Sequence, residues 1–315
     1  MLNPACIEVD GIIHMFYRAV SQQDISTIGY CRLKNNQVVN RLTRPILAPE
    51  FDYEKKGVED PRITFLDGIY YLLYTAYDGK NALIAYATSQ DLVSFKKHGL
   101  ISPKITYDEA EDIFRRSQVK ERYRMFEIFY KEMRGKDVLL FEKDACLFPQ
   151  KFKGKFALMH RILPSIQLIF FKKFSELTEN YWRQYLTNLD KNVIIDPLYW
   201  HENRNVGGGC PPIKTKAGWL MIYHAVEDTP LGITYHAAAA LLDLKNPLKV
   251  IGRLKEPLFS PKTIWEKRGV VNNVVFPTGA VIQGNRLFIY YGAADSCIGA
   301  KSIELDSLLM AIKKS

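Results

Sequence analysis

The sequence predicts an all-β protein, a five-bladed β-propeller with a helical insertion between blades two and three. The first observation behind this is a faint internal repeat. Five segments carry a turn glycine followed six residues later by Tyr or His at the end of an apolar strand: Gly11 to Tyr17, Gly68 to Tyr74, Gly154 to His160, Gly218 to His224 and Gly284 to Tyr290. The second is a further strand-like run after each of them: Thr27 to Leu33, Ala82 to Thr88, Ile166 to Phe171, Tyr235 to Leu242 and Ala300 to Leu305. The third is the connections, which are mostly too short or too rich in Gly and Pro for the helices that a parallel α/β fold requires.

Each repeat begins where glycine supplies a turn conformation and continues into β-branched and aromatic residues, which favour extended chain. Successive glycines are 57, 86, 64 and 66 residues apart, so each unit has room for about four strands. The long second spacing has a visible cause. Between about 104 and 136 the pattern turns helical, with Val119, Tyr123, Phe126, Tyr130 and Met133 at three- and four-residue intervals and Gly135 as a stop. This insertion is expected to pack on the propeller side or to make an oligomer contact, in preference to acting as a lid. The whole of 1–315 is expected to form one catalytic domain.

Composition narrows the function classes. A chain of 315 residues with 47% hydrophobic and 24% charged residues is an ordinary globular one. Aromatics at 12% suit strands and surfaces that stack on sugars or bases. The net charge of +9 admits nucleic acid, an acidic membrane or an anionic substrate. The basic residues are scattered as pairs such as Lys55-Lys56 and Lys172-Lys173, without a basic tract, so no nucleic-acid partner is expected. No apolar run of about 20 residues is long enough to span a bilayer. Five widely spaced cysteines lack a C-x-x-C pair, which argues for reduced thiols. Met1-Leu2-Asn3-Pro4 has no signal-peptide character, and a cytoplasmic location is the expectation.

The repeat also marks where chemistry sits. Inner-strand ends of a propeller surround a central channel, and here they read Tyr17-Arg18, Tyr74-Thr75, His160-Arg161, Tyr223-His224 and Tyr290-Tyr291. Arginine is rarely buried without a partner, so two arginines and two histidines at such places point to an anion site. The plainer alternative has Arg161 bridging blades. Gly57-Val58-Glu59-Asp60-Pro61-Arg62 sets two carboxylates, a proline and an arginine just before an apolar strand. Asp60 there reads as a proton donor at the mouth of a cavity, with a charged loop as the alternative. Glu59 would raise the Asp60 pKa by like-charge repulsion and Arg62 would oppose it. Lys143-Asp144-Ala145 precedes another strand in the same way, which turns Lys143 toward the channel by analogy.

Other patterns fail. Gly207-Gly208-Gly209 runs into Cys210-Pro211-Pro212 and opens no helix, so it is not a P-loop. No H-E-x-x-H or G-x-S-x-G motif occurs, and the six histidines lack a metal-ligand spacing, so no metal is assigned.

With these residues assembled, the chain resembles glycoside hydrolase family 130, the β-mannoside phosphorylases and related β-mannosidases, over nearly its whole length. The marks are Asn3-Pro4-Ala5 with Tyr17-Arg18-Ala19, the Gly57 to Arg62 motif, Lys143-Asp144-Ala145, His160-Arg161, Tyr223-His224, Tyr235, Asn273 to Gly279, and Tyr290 to Asp295. The resemblance implies a five-bladed propeller and makes Asp60 the general acid, delivering its proton through a hydroxyl of the bound mannose. It implies phosphate binding by Lys143, Arg161, His224 and Tyr235. Mannose binding falls on Asn3, Arg18 and Asp295, and Arg62 of the acid's own motif is counted with the substrate-binding residues. Inorganic phosphate is then a co-substrate, and no cofactor is expected. Lysine stands at 143 where some members have arginine, and the insertion is longer than expected.

An inverting hydrolase needs a second carboxylate to activate water, whereas a phosphorylase needs only the acid, because phosphate is the nucleophile. The cationic set therefore predicts an inverting phosphorylase that cleaves β-1,2- or β-1,4-mannosides to α-mannose 1-phosphate. The alternatives are an inverting β-mannosidase, with Glu202 or Glu227 as base, and a non-catalytic carbohydrate-binding propeller.

Overall fold

The computed structural model describes residues 1–117 and 119–315. Its strands fall into five antiparallel units in chain order. Unit one is β1 (Leu2–Val9), β2 (Ile12–Val20), β3 (Ser26–Lys34) and β4 (Gln37–Arg41). Unit two is β5 (Gly57–Leu66), β6 (Ile69–Tyr77), β7 (Ala82–Ser89) and β8 (Lys96–Leu100). Unit three follows the insertion, as β9 (Lys143–Leu147), β10 (Phe156–Ile162), β11 (Ser165–Phe171) and β12 (Val193–Ile195). Unit four comprises β13 (Asn205–Gly208), β14 (Ile213–Thr215), β15 (Gly218–Thr229), β16 (Gly232–Leu242) and β17 (Val250–Arg253). Unit five is β18 (Val275–Gln283), β19 (Arg286–Ala293) and β20 (Cys297–Glu304). A single parallel pair, Ser26 with Gly57, joins units one and two into one eight-stranded sheet.

The glycine-marked segments are β2, β6, β10, β15 and β19, the second strand of units one, two, three and five and, in unit four, the strand after the short β13 and β14 that both pair with it; each pairs with the strand after it as the repeat predicts. Turn chemistry sets these hairpins. At Asp10-Gly11 and Asp67-Gly68 both central residues have φ between 50° and 79°, the left-handed pair that a two-residue hairpin requires.

Strand periodicity then builds the core. On β15, Trp219, Met221, Tyr223 and Ala225 pack against unit three, while Leu220 and Ile222 pack against unit five. A strand buried on both faces is apolar throughout instead of alternating. Hydrophobic clusters lie between each successive pair of units, two of them between units four and five. A further one sets Cys6, Ile13, Met15 and Tyr17 of unit one against Val281 and Tyr290 of unit five. The two are also tied by a hydrogen bond of 2.8 Å from Thr278 Oγ1 to the Pro4 carbonyl.

A buried glutamate locks three of the units in the same way. Glu54, Glu202 and Glu266 each take the third position of a short helical turn before the unit and are fully buried. Each accepts from a tyrosine of the glycine-marked strand at 2.7 Å (Tyr74, Tyr223, Tyr291). Each also pairs with a cation from the unit's last strand: Lys97 at 2.5 Å, Arg253 at 2.6 Å and Lys301 at 2.8 Å. In unit three Glu142 and His160 take these places at 2.6 Å, with Tyr185 at 2.8 Å on the other ring nitrogen.

The insertion is two helices, α1 (Tyr107–Arg115) and α2 (Glu121–Arg134), packed between units two and three. Thr106 and Glu109 form a capping box at the start of α1, with Glu109 N–H donating to Thr106 Oγ1 at 3.2 Å. Gly135 ends α2 with φ 99°. Of the predicted stripe, Val119 and Tyr123 are buried and Phe126 and Tyr130 half-buried, but Met133 is 57% exposed. It belongs instead to an outer apolar side of α2 with Met125, Ile128 and Phe129, which are also exposed.

Three helices lie outside the predicted insertion: α3 (Glu179–Leu186), which buries Trp182 and Tyr185; the short α4 (Ile264–Lys267); and α5 (Leu305–Lys314), which lays Leu308, Leu309 and Ile312 on unit four. Strand β20 therefore gives way to helix at Leu305, where the predicted strand run ended. All five cysteines are free thiols. No helix among the described residues is long and apolar enough to cross a membrane.

Candidate active site

A cavity of about 270 Å³ collects residues from all five units. Asn3 and Arg18 come from unit one, Asp60 from unit two, and Lys143, Asp144 and Arg161 from unit three. Tyr235 comes from unit four and Phe276 and Asp295 from unit five, with Ile233, Val271 and Val274 completing the wall.

Three of these side chains are aimed by the same backbone device. Asn3, Asp60 and Asp144 each lie in the first strand of a unit, at an irregularity in its pairing with the next. Each has left-handed φ, of 49°, 49° and 58°. An extra residue in a ladder bends the strand and redirects its side chain, and Asn and Asp tolerate this conformation better than most residues. The bulge turns these residues out of the sheet and into the cavity.

Asp60 is the centre of a polar network. Asn3 Nδ2 donates to Asp60 Oδ1 at 2.7 Å, and Arg18 Nη1 stands 3.7 Å from the same oxygen. Arg18 also pairs with Glu59 at 2.6 Å and donates to Ser26 Oγ at 2.9 Å, which in turn donates to Glu59 at 3.0 Å. Burial pushes the Asp60 carboxyl up, but Arg18, Lys143, the Asn3 hydrogen bond and Arg62 together hold it below its ordinary value. Glu59 is raised by burial, with Arg18 opposing. Asp295 is raised by burial and by the neighbouring Asp60 charge. The balance expected between Glu59 and Arg62 is thus decided by residues outside the motif, Arg18 and Lys143.

Two further cations line the same cavity: Lys143, whose charge lowers the Asp60 pKa, and Arg161, which sits with Asp144 and His224. Arg161 Nη1 lies 3.1 Å from Asp144 Oδ2 and donates to His224 Nε2 at 3.4 Å. His224 is fully buried behind it, its ring 4.5 Å from that of Phe276 and 5.7 Å from that of Tyr235. Burial lowers its pKa to about 3, so it is a neutral imidazole and adds no charge. Lys143 lines the cavity and forms no ion pair among the described residues.

Two expectations change. Arg62 is not on the cavity wall. It is 1% exposed and donates to backbone carbonyls of Asp60 at 3.0 Å, Pro61 at 3.2 Å, Gly208 at 3.3 Å and Gly209, while facing Asp144 at 3.6 Å. Its guanidinium bolts unit two to units three and four, and no donor is left for a sugar. Glu202 and Glu227 are not free bases. Glu202 is the unit-four lock, and Glu227 lies 3.2 Å from His236 away from the cavity wall.

Asp144 and the three glycines escaped the sequence reading. A Cβ on Gly207 would lie 2.6 Å from Asp144 Oδ2 and overlap the His224 ring, and one on Gly208 would lie 2.8 Å from the Asp144 carbonyl. The Gly-Gly-Gly run is therefore the floor on which Asp144 and His224 rest. Glycine repetition was its visible signal; its meaning depends on which strand lies opposite. Among the described residues no group of three or more His, Cys, Asp or Glu is placed to hold a metal ion.

The arrangement has relatives. A family profile described as β-1,4-mannooligosaccharide phosphorylase matches residues 1–314. A 1,2-β-oligomannan phosphorylase of Thermoanaerobacter sp. is 34% identical over 98% of this chain and 91% of its own. A β-1,2-mannobiose phosphorylase of the same organism is 33% identical with the same coverage. Among solved structures, the β-1,2-mannobiose phosphorylase of Listeria innocua, in complex with β-1,2-mannobiose, superposes with a TM-score of 0.72. It is 21% identical, with 100% of this chain and 92% of that chain covered. A profile match from end to end and two relatives above 30% identity over almost all of both chains leave one conclusion: this chain belongs to glycoside hydrolase family 130.

Proposed function

We propose that the protein is an inverting β-mannoside phosphorylase, in which inorganic phosphate cleaves a non-reducing-end mannoside to α-mannose 1-phosphate. The observation that carries this is one cavity lined by both Asp60 and the cations Lys143 and Arg161. Phosphate sits at these cations with Tyr235 as a hydroxyl donor. His224 acts from behind, by holding Arg161. Asn3, Arg18 and Asp295 receive the mannose. Phosphate attacks the anomeric carbon, the glycosidic C–O bond breaks, and the departing oxygen takes the proton of Asp60 through a mannose hydroxyl. General acid catalysis of this kind contributes about 10²–10⁴-fold, and oriented charge supplies much of the rest.

The fold in this reading is a single five-bladed propeller over 1–315, with each unit a blade. Support comes from the inter-unit clusters, one of which returns unit five to unit one. The relatives matching nearly the whole chain are named for β-1,2-mannosides, which favours that linkage over β-1,4. The hydrolytic alternative loses both of its expected bases, since Glu202 and Glu227 are engaged elsewhere.

The test is cleavage of β-1,2-mannobiose with and without phosphate. Turnover should require phosphate and yield α-mannose 1-phosphate, and Asp60→Asn should abolish it while sparing sugar binding. Free mannose released at full rate without phosphate would refute the reading.

A further inference from the structure

Asp144 is a feature of the cavity wall for which the reaction above has no use. A carboxylate is an unexpected neighbour for an anion, because like charges at contact repel. Yet Asp144 Oδ2 stands 3.1 Å from Arg161 Nη1, the guanidinium that would hold phosphate, and 3.9 Å from His224 Nε2. Its other oxygen faces Arg62 at 3.6 Å. The approach to Arg161 is an ion pair off the line of the N–H, so Oδ2 accepts no hydrogen bond from any described residue.

The fold is arranged to admit this group. A left-handed φ of 58° aims Asp144, and Gly207 leaves the space its Oδ2 occupies. The residue is 5% exposed and forms part of the cavity wall. Since His224 is neutral, the charge set directly beside Arg161 on the cavity lining is the Asp144 carboxylate, with Lys143 lining the same cavity. A bare tetrahedral anion seated on Arg161 would press an oxygen on that carboxylate. An anion with a hydrogen on one oxygen donates it there.

We propose that Asp144 selects hydrogen phosphate by accepting the hydrogen of its P–OH group, so that the cavity takes phosphate and arsenate and rejects sulfate. The inference rests on the phosphorylase reading for its ligand. It also orients the nucleophile: the oxygen at Asp144 keeps its hydrogen, and an unprotonated oxygen attacks. HPO₄²⁻ forms the new C–O bond, the glycosidic bond breaks, and the Asp60 proton goes to the departing oxygen. The ester leaves as the hydrogen-bearing monoanion, and Asp60 is left as a carboxylate.

The test is calorimetric binding of phosphate, arsenate and sulfate to the wild type and to Asp144→Asn, which suits the left-handed backbone and places an N–H₂ where the acceptor was. In the wild type, phosphate and arsenate should bind alike and sulfate about 10–100-fold more weakly, the range of a hydrogen bond to a charged group. In the variant, sulfate should bind at least as tightly as phosphate. Sulfate binding the wild type as tightly as phosphate, or an unchanged ratio in the variant, would overturn the proposal. Should the variant fail to fold, the three-anion series on the wild type decides alone. Mannoside cleavage without phosphate, with the anion ratio intact, would refute the reaction and leave the selective site standing. A wild type that binds none of the three anions would overturn both.

Discussion

Asp60 must carry a proton to act as an acid, and its neighbours hold it in the opposite state. Burial raises it, but Arg18 at 3.7 Å, Lys143 and the Asn3 hydrogen bond depress it below the ordinary carboxylate value, so the free protein keeps it ionised at neutral pH. An anion bound to Lys143 and Arg161 cancels part of that positive field, and the Asp60 pKa then rises. Phosphate binding should therefore take up more protons, or release fewer, in the wild type than in a variant without the Asp60 carboxyl, measured by titration calorimetry in buffers of different ionisation enthalpy. Asp60→Asn should remove that share. Equal uptake in the two proteins would mean that the proton loads elsewhere. At this scale the cavity lining was legible where an unusual residue type stood at a repeat position, as with Arg18 and Arg161, or where two acids stood together before an apolar strand, as with Asp60. It was illegible for Asp144 and Gly207, whose importance comes from facing each other across two units. Arg62 sat in the right motif, but its direction was fixed by the carbonyls of Gly208 and Gly209, 146 and 147 positions away.

At the scale of elements, the three glutamate locks explain why tyrosine recurs at the ends of the marked strands. Strand alternation sends Tyr74, Tyr223 and Tyr291 to a buried carboxylate, and sends the next residue, as with His224, toward the cavity side. The repeat in the sequence was therefore a packing signal, and the site residues were its neighbours. Removing one partner of a buried ion pair leaves a charge uncompensated, at a cost of about 3–5 kcal/mol. Glu202→Ala should accordingly destabilise the protein by about that much in urea unfolding, because Tyr223 and Arg253 both lose their acceptor. Asp228→Ala, which breaks the solvent-facing pair with Arg204, should cost no more than about 1 kcal/mol. Similar losses in the two variants would remove the lock. The insertion was visible as a helical period, but its division into α1 and α2 and the outward turn at Met133 depended on the neighbouring units. Helices α3 and α5 are short amphipathic stretches inside strand-rich sequence, and their apolar residues read equally well as strand.

Across the whole molecule, the proposed acid Asp60 is held by a contact between the two ends of the chain. Asn3, in the first strand, holds Asp60 at 2.7 Å and is itself packed against Gly292 near the end of β19. A Cβ at Gly292 would collide with Asn3 Oδ1, and one at Gly279 would come within 2.7 Å of the Pro4 carbonyl. These glycines let unit five approach unit one closely enough for Asn3 to reach Asp60. Gly292→Ala therefore acts on the acid through a residue far from it in sequence. Overpacking of this kind costs about 1–3 kcal/mol of stability, and a displacement near 1 Å at a catalytic group costs on the order of 10²-fold in rate. The expected result is a folded protein of lowered melting temperature, whose kcat for mannoside cleavage falls far more than its affinity for phosphate, since Lys143 and Arg161 belong to unit three. Loss of phosphate affinity in parallel with kcat would mean that the substitution loosens packing well beyond Asn3. Unchanged kcat would mean that Asn3 does not position Asp60.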